Sequence, residues 1–213
     1  MESFDVVIIG AGPIGLACAI EAKRNNLRYA VFEKGCLVNS IFGYPVYMRF
    51  FSTPDLLEIG NIPFITQGKT STRYETLEYY RRTAEVHDLN IHTFEKVLEV
   101  TGDDGAFTVK TEHGNYQAKK VIMAIGYFDR PRMLDVPGEE REKTSHYYKE
   151  PHYYSDRDIL IVGSGNSAVE AALETYRHGA RVSMVVRRYE LKSGVKYWIR
   201  PDIEDRIANG EIT

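Results

Sequence analysis

The sequence is poor in cysteine, and this scarcity narrows the classes of protein that it can encode. Its 213 residues include only Cys18 and Cys36, which are too few for a disulfide framework and lie in no CxxC or metal-ligand spacing. A reducing compartment, and therefore a cytoplasmic protein, is what we expect from this usage. The six histidines form no metal-ligand grouping either, so we predict no metal site.

Long hydrophobic runs and clusters of basic charge are also lacking. Residues 1–9 contain no Lys or Arg and lead directly into a glycine, unlike a signal peptide or a membrane span. Lys and Arg number 27 and Asp and Glu 30, a net charge of −3, and no basic run suits a phosphate backbone. We therefore expect neither a membrane nor a nucleic acid as a partner. Hydrophobic residues make up 43% of the chain, which is typical of a folded globular protein.

A glycine-rich turn stands between a strand-like run and a helix-like segment near the start of the chain. Val6-Val7-Ile8-Ile9 precedes Gly10-Ala11-Gly12-Pro13-Ile14-Gly15, and apolar residues then recur at helical spacing. The next apolar run, Tyr29–Phe32, ends in Glu33, so the pattern predicts a βαβ unit. The residues that we assign to the buried face of the helix are Ile14, Ala17, Cys18 and Ala22.

The same order of elements returns later in the chain. Residues 159–162 are apolar and lead into Gly163-Ser164-Gly165-Asn166-Ser167-Ala168, which opens a second helix-like segment. Residues 182–186 are then predicted as the next strand, and Arg187 and Arg188 follow it. A second βαβ unit is therefore predicted.

The residues between these units fall into three parts. Residues 35–70 are irregular, aromatic and interrupted by proline, which favours an ordered excursion near an active site. Thr72 and Glu75 fit a capping box that opens a helix. From Thr93 to Ile125, apolar runs broken by glycine turns predict a small antiparallel meander.

Turns of the form GxGxxG let a backbone approach a pyrophosphate at the positive end of a helix. Glu33 and Arg187 end the strands after the two turns, each at about the 20 residues expected. Glu33 can accept hydrogen bonds from ribose hydroxyls, which suits FAD or NAD. Arg187 and Arg188 can instead pair with a 2′-phosphate, which favours NADPH, although arginines are also common on ordinary surfaces. The residues thus indicate FAD first and NADPH second.

Several stretches resemble a known group of flavoproteins. The two turns, Glu33 and the strand end Ala124-Ile125-Gly126 leading to Arg130-Pro131 are similar to two-dinucleotide-binding-domain flavoproteins such as the thioredoxin reductases. Within that superfamily, essentially the whole chain resembles the YpdA-type bacillithiol disulfide reductases. The stretches that carry this narrower resemblance are Glu33-Lys34-Gly35, Asn39-Ser40-Ile41, Phe50-Phe51-Ser52, Glu58-Ile59-Gly60, Ile62-Pro63-Phe64 and Tyr197-Trp198-Ile199-Arg200-Pro201.

The resemblance implies a fold and a set of site residues. The fold is α/β, with an FAD/NAD(P)-binding Rossmann-like three-layer domain and a small β-meander over residues 1–137, lacking its expected C-terminal strand. An incomplete second dinucleotide-binding domain follows over residues 138–213. The residues implied at FAD are Gly10, Gly12, Pro13, Gly15, Glu33, Lys34, Asn39, Ser40, Val97, Ala124 and Gly126. Those implied at NADPH are Gly163, Gly165, Asn166, Ser167, Ala168, Arg187 and Arg188.

The activity implied by the resemblance is that of an FAD-dependent NADPH oxidoreductase, which passes hydride from NADPH to FAD and on to a small acceptor. A low-molecular-weight thiol disulfide is the implied acceptor, and quinones, other small electrophiles and oxygen stay open. One alternative is an NADPH-dependent flavin monooxygenase, because the stretch from Pro137 to Tyr154 is loosely similar to the segment before the second glycine turn of those enzymes. Another is a non-catalytic, truncated FAD-binding remnant.

The sequence departs from the family in its cysteines. Thioredoxin reductases carry a redox CxxC before the second turn, whereas residues 144–154 contain no cysteine, which excludes thioredoxin reduction by that route. Some YpdA-type enzymes have a cysteine in the first turn, where this chain has Ile14. We favour packing roles over redox or acid–base chemistry for the remaining candidates and name no catalytic residue. Those candidates are Cys18, Cys36, His146 and His152.

The second predicted domain is also short. Residues 159–213 have room for a strand, a helix, a strand and one further helix, whereas a doubly wound domain needs about five or six strands. We therefore expect either a truncated chain or strands supplied by a partner. An exposed strand edge at residues 182–186 would favour aggregation or a homodimer.

Overall fold

The computed structural model describes residues 1–188 and 190–213, which form two units, Met1–Tyr147 and Tyr148–Thr213. The domain boundary after Pro137 that the resemblance implies stays a prediction. The strands are β1 (Glu2–Ile9), β2 (Tyr29–Phe32), β3 (Ile91–His92), β4 (Val97–Thr101), β5 (Phe107–Thr111), β6 (Asn115–Met123), β7 (Asp158–Val162) and β8 (Arg181–Val185). The helices are α1 (Pro13–Arg24), α2 (Asn39–Phe42), α3 (Arg73–Val86), α4 (Asn166–Arg177) and α5 (Arg200–Ala208), with 3-10 turns at Pro54–Leu57 and His152–Tyr154.

The first unit is built on a six-stranded sheet in the order β3-β2-β1-β6-β5-β4. The first four of these strands are parallel, and β6, β5 and β4 form the predicted antiparallel meander. The register places Ile9, at the end of β1, beside Phe32 of β2 and Met123 of β6. The carboxyl ends of three strands therefore meet at one edge of the sheet, and the predicted α/β, Rossmann-like fold is confirmed.

Helix α1 packs on this sheet through a face that matches the predicted one only in part, since Ala22 is buried and Ala17 and Cys18 are half-buried as predicted. Leu16, Ala19 and Ile20 are almost completely buried, whereas Ile14 is 69% exposed, so the prediction was wrong at Ile14. Leu16 and Ile20 are themselves separated by one helical turn, and the sequence therefore carries two overlapping apolar rows. The periodicity could not decide between the rows because both have helical spacing.

The excursion over residues 35–70 is ordered and is held by tyrosines of α3. The Tyr79 hydroxyl accepts a hydrogen bond from the Ile59 N–H (2.8 Å) and donates to the Ile62 carbonyl (2.9 Å). The Tyr80 hydroxyl donates to the Leu57 carbonyl (3.0 Å), and burial raises the pKa of Tyr80 to about 12. Phe64 stacks on Tyr79 with ring centroids 4.2 Å apart. Backbone groups of the excursion are thus fastened to a helix.

The second unit contains two parallel strands, β7 and β8, with α4 and α5. The prediction of an exposed edge at residues 182–186 was wrong for residues 182–184, which pair with residues 212–213. The Met184 N–H donates to the Thr213 carbonyl (2.6 Å), and the Thr213 N–H donates to the Val182 carbonyl (3.2 Å). The opposite edge, that of β7, has no strand partner within residues 1–188 and 190–213, and Leu160 of β7 is 64% exposed.

None of the described helices is long and apolar enough to cross a membrane.

Helix α3 begins at the predicted capping box, which is fully formed. The Glu75 N–H donates to the Thr72 hydroxyl (3.2 Å), and the Thr72 N–H donates to the Glu75 carboxylate (2.8 Å). Two N–H groups that would otherwise lack partners at the helix terminus are satisfied by this exchange. The box therefore stabilises the helix that carries Tyr79 and Tyr80.

Removing the hydroxyl at position 72 tests this stabilisation. We expect Thr72→Ala to lower the free energy of unfolding of the first unit by about 1 kcal/mol, because the cap is lost. Thr72→Ser keeps the hydroxyl and should lie close to the unchanged chain. Chemical denaturation followed by circular dichroism measures both, and equal losses in the two variants would contradict the assignment.

Candidate functional site

The first glycine turn is closely packed against the end of β6. Gly10 has φ +103°, and a Cβ on it would lie 2.5 Å from the Ala124 carbonyl oxygen. A Cβ on Gly15 would overlap the Gly10 carbonyl oxygen. The Ala124 N–H donates to the Ile9 carbonyl (2.8 Å) and fixes the approach of the two strands. The structure thus brings together Gly10, Gly15 and Ala124, three of the residues predicted at FAD.

Gly12 and Gly126 differ from these residues because they face open space. A Cβ at either position would meet no protein atom within 4 Å. Gly12 is the N-cap of α1 and makes no side-chain cap, and Pro13 occupies the first helical position. The N–H groups of a first helical turn have no partner within the helix and favour an anion. The turn therefore fits a pyrophosphate, which needs close backbone approach and no side chain in its path.

The carboxylate of Glu33 joins the turn to the end of β2 by hydrogen bonds. The Glu33 side chain is buried, one carboxylate oxygen accepts from the Ala11 N–H (2.9 Å), and the other accepts from the Gly35 N–H (3.0 Å). A carboxylate has about four lone-pair sites, so two acceptor sites stay open for ribose hydroxyls. Sequence reasoning predicted the ribose contact alone and missed the bond to Ala11, because no local pattern signals a bond between residues so far apart in sequence.

Asn39 and Ser40 begin helix α2, and the residue before this helix, Val38, is bonded to the same turn. Val38, which precedes the helix, has φ +48° and donates its N–H to the Ala11 carbonyl (3.1 Å). Asn39 lies so close to Gly35 that a Cβ on that glycine would overlap its side-chain amide. Ser40 is half-buried beside it in α2. Both predicted residues therefore lie near the end of β2.

Lys34 and Val97 have other neighbours. The Lys34 ammonium lies 2.6 Å from an Asp129 carboxylate oxygen, and this ion pair is partly exposed. Val97 begins β4 and packs against the apolar cluster that contains Phe32 at the end of β2. Whether either residue contacts a cofactor stays a prediction.

The two cysteines lie in environments that suit unreactive thiols. Burial, and secondarily the charge of Glu33, raises the pKa of Cys36, whose Sγ lies 3.5 Å from Asn39 Oδ1. A thiol with a raised pKa is protonated at neutral pH and is a poor nucleophile. Cys18 is half-buried against the main apolar cluster of the first unit. These surroundings agree with the packing roles that we favour.

The second glycine turn sits at the carboxyl ends of β7 and β8. Gly163 has φ +136°, donates its N–H to the Val185 carbonyl (2.9 Å), and would bring a Cβ within 3.3 Å of the Ala168 Cβ. Gly165 is the N-cap of α4 and carries no side-chain cap. Ser167 is exposed in the first turn of that helix. The predicted residues of the second turn therefore lie together around one helix N-terminus.

The arginines after β8 are exposed. Neither Arg187 nor Arg188 forms an ion pair with any residue that the structure describes. Two guanidinium groups without carboxylate partners are available to an anionic ligand. Within residues 1–188 and 190–213, no group of three or more His, Cys, Asp or Glu side chains could hold a metal ion.

The contrast between Gly15 and Gly12 can be measured. We expect Gly15→Ala to lower the free energy of unfolding by about 3 kcal/mol, because the added methyl group overlaps a backbone oxygen. Gly12→Ala should cost about 1 kcal/mol, the scale of a changed N-cap, because its methyl group meets no protein atom. Chemical denaturation of both variants decides, and a Gly12→Ala loss as large as that of Gly15→Ala would contradict the packing described.

Residues 7–213 match a family model described as pyridine nucleotide-disulphide oxidoreductase. The chain is 41% identical over 207 residues to bacilliredoxin reductase Bdr of Bacillus subtilis (strain 168). The aligned residues cover 97% of this chain and 64% of that relative. It is also similar to the solved structure of bacillithiol disulfide reductase Bdr (YpdA) from Staphylococcus aureus, with a TM-score of 0.96, 38% identity, and coverage of 100% of this chain and 66% of that one. The solved structure of bacillithiol disulfide reductase Bdr (YpdA) from Bacillus cereus is similar with a TM-score of 0.95 and 41% identity, and the match covers 100% of this chain and 67% of that one.

The chain thus spans 64% of the length of this curated relative. The resemblance to the YpdA-type reductases that the sequence indicated is confirmed by the identity and by the shared fold. The chain belongs to the pyridine nucleotide-disulphide oxidoreductase family.

Proposed function

We propose that this chain binds FAD at its first glycine turn and NADPH at its second, and that it is part of a reductase of small disulfides. The observation that carries the proposal is the contrast between the two turns. Both lie at the carboxyl ends of parallel strands, but the strand after the first leads to a buried carboxylate, that of Glu33, and the strand after the second leads to Arg187 and Arg188. One site suits ribose hydroxyls and the other an additional phosphate.

FAD binding is supported by the shape of the first turn. Close packing at Gly10 and Gly15 brings the backbone to the point where a pyrophosphate needs it, and Gly12 leaves that point open. The free acceptor sites of Glu33 would hold the adenosine ribose, and Asn39 and Ser40 would lie toward the flavin. Ala124 and Gly126 would close the site from the end of β6.

NADPH binding is supported by the second turn. Gly163 and Gly165 leave the N-terminus of α4 accessible to a pyrophosphate, and Arg187 and Arg188 are available to the 2′-phosphate. Bound flavin would supply two-electron transfer between NADPH and a small acceptor. A low-molecular-weight thiol disulfide is our proposed acceptor, because the similar proteins from Staphylococcus aureus and Bacillus cereus are bacillithiol disulfide reductases.

A spectroscopic experiment tests both cofactor sites. The purified chain is loaded with FAD, and unbound FAD is then removed. NADPH is added in the absence of oxygen while the flavin absorption is followed. We expect one flavin per chain and loss of the oxidised flavin absorption on addition of NADPH, followed by its return on addition of bacillithiol disulfide. Failure to retain FAD would overturn the first site, and retained FAD that NADPH leaves oxidised would count against the second.

Gly12→Ala separates binding from folding at the first turn. Its added methyl group occupies the space that the pyrophosphate requires, so we expect at least a tenfold loss of FAD affinity, equivalent to about 1.4 kcal/mol. Gly114→Ala adds the same methyl group at an ordinary contact distance of 3.9 Å from Tyr116, in the meander, and is the matched control. Equal FAD affinity in the two variants, measured by fluorescence titration, would argue against the assignment of the turn.

The arginines after β8 predict the choice of nicotinamide cofactor. We expect Arg187→Ala and Arg188→Ala each to weaken NADP⁺ binding by about tenfold, because a charge-assisted hydrogen bond to phosphate is lost. NAD⁺ lacks the 2′-phosphate, so its affinity should not change and serves as the internal control. Calorimetric titration with both nucleotides measures the effect, and equal losses for the two would contradict the 2′-phosphate assignment.

A further inference from the structure

Residues 191–199, which we call the clasp, are fastened to the second glycine turn by the side chain of Asn166. The Asn166 Nδ2 donates to the Gly194 carbonyl (3.1 Å), and its Oδ1 accepts from the Lys196 N–H (2.9 Å). Both groups of the amide are therefore used inside the protein. The side chain of Asn166 is arranged to hold the clasp, and the backbone of the turn is left to meet a ligand.

The clasp also contacts helix α4 through the side chains of Val195 and Lys196. Val195 is 5% exposed and belongs to the apolar core of the second unit, together with Val169 of α4. The side chain of Lys196 is largely buried, and its ammonium pairs with the partly exposed carboxylate of Glu170 of the same helix. These contacts give the clasp a defined position relative to α4, because a buried apolar anchor and a partly buried ion pair both tie it to that helix.

Lys192 has a fixed backbone and a free side chain. Its N–H donates to the Ser164 carbonyl (3.1 Å), and its carbonyl accepts from the Val195 N–H (3.0 Å) and from the Arg200 guanidinium. Its side chain is exposed and has no ion pair with any residue that the structure describes. The Lys192 Cδ lies 3.9 Å from the place that a Cβ on Gly165 would occupy. An unpaired cation therefore passes beside the N-cap of α4.

We infer that the clasp presents Lys192 to the pyrophosphate of a nicotinamide dinucleotide and that Asn166 is the positioning residue that keeps it there. The inference rests on the proposed NADPH site and assigns it a further cation. The pyrophosphate is indicated over the 2′-phosphate because Lys192 adjoins Ser164 and Gly165 of the turn, whereas Arg187 follows β8. Lys192 should therefore contribute equally to the binding of NADP⁺ and NAD⁺.

Neutralising Lys192 tests the phosphate contact. We expect Lys192→Gln to weaken NADP⁺ and NAD⁺ by the same factor, about tenfold, since both nucleotides carry the pyrophosphate. Arg157→Gln makes the same change of charge at the amino end of β7, away from the turn, and should leave both affinities unchanged. Calorimetric titration of the full chain measures them. Unchanged affinities in Lys192→Gln would overturn the inference, and so would a loss confined to NADP⁺, which would assign Lys192 to the 2′-phosphate.

The role of Asn166 is tested by a double-variant cycle. We expect Asn166→Ala to weaken both nucleotides by about the same factor as Lys192→Gln, and the double variant to be no weaker than either single variant. Additive losses would mean that Asn166 acts independently of Lys192 and would overturn its positioning role.

Trp198, the single tryptophan of the chain, lies on the clasp and reports its state without any cofactor. The residue is 54% exposed, and its ring packs edge-on against Tyr197 with ring centroids 4.9 Å apart. Release of the clasp in Asn166→Ala should shift the tryptophan emission to longer wavelength, and an unshifted emission would contradict the role of Asn166. Failure of the unchanged chain to bind NADP⁺ would overturn the proposed function and this inference together, whereas normal binding by the unchanged chain with unaffected variants would overturn the inference alone.

Discussion

The close approach of backbone to backbone at the first glycine turn is the constraint on which the rest of the first unit depends. Gly15 leaves room for the Gly10 carbonyl, and Gly10 leaves room for the end of β6. Without both, the amino end of α1 could not lie against the edge where three parallel strands end. The absence of two side chains therefore lets helix α1 meet the ends of β2 and β6, which are followed by Glu33 and Ala124.

The two turns are stabilised by different means. At the first, the buried carboxylate of Glu33 accepts from the N–H groups of Ala11 and Gly35 and joins the turn to β2. At the second, an amide side chain, that of Asn166, joins the turn to residues that come later in the chain. The same backbone shape is thus stabilised by a residue that follows a strand in the first unit and by the first residue of a helix in the second. Two glycine turns with the same sequence motif can therefore be stabilised by different side-chain hydrogen bonds.

Much of the fold could be predicted because it is encoded locally. Strand, glycine turn and helix follow one another within about 20 residues in each βαβ unit, and Thr72 and Glu75 form their capping box as predicted. What could not be predicted depends on contacts between distant residues. The pairing of Thr213 with β8 leaves no trace in the periodicity of either segment. The face of α1 that is buried was decided by the sheet beneath it, since the sequence offered two rows of apolar residues.

The manner in which the excursion over residues 35–70 is held has a consequence for how such a surface can evolve. Tyr79 and Tyr80 bind its peptide groups at Leu57, Ile59 and Ile62, whose own side chains pack against the apolar core. The path of the segment is therefore set by these residues and not by its exposed side chains. Exposed side chains such as those of Leu56 and Ile65 can be replaced without loss of the tethers, so related chains can alter what this surface recognises while its course over the domain is preserved.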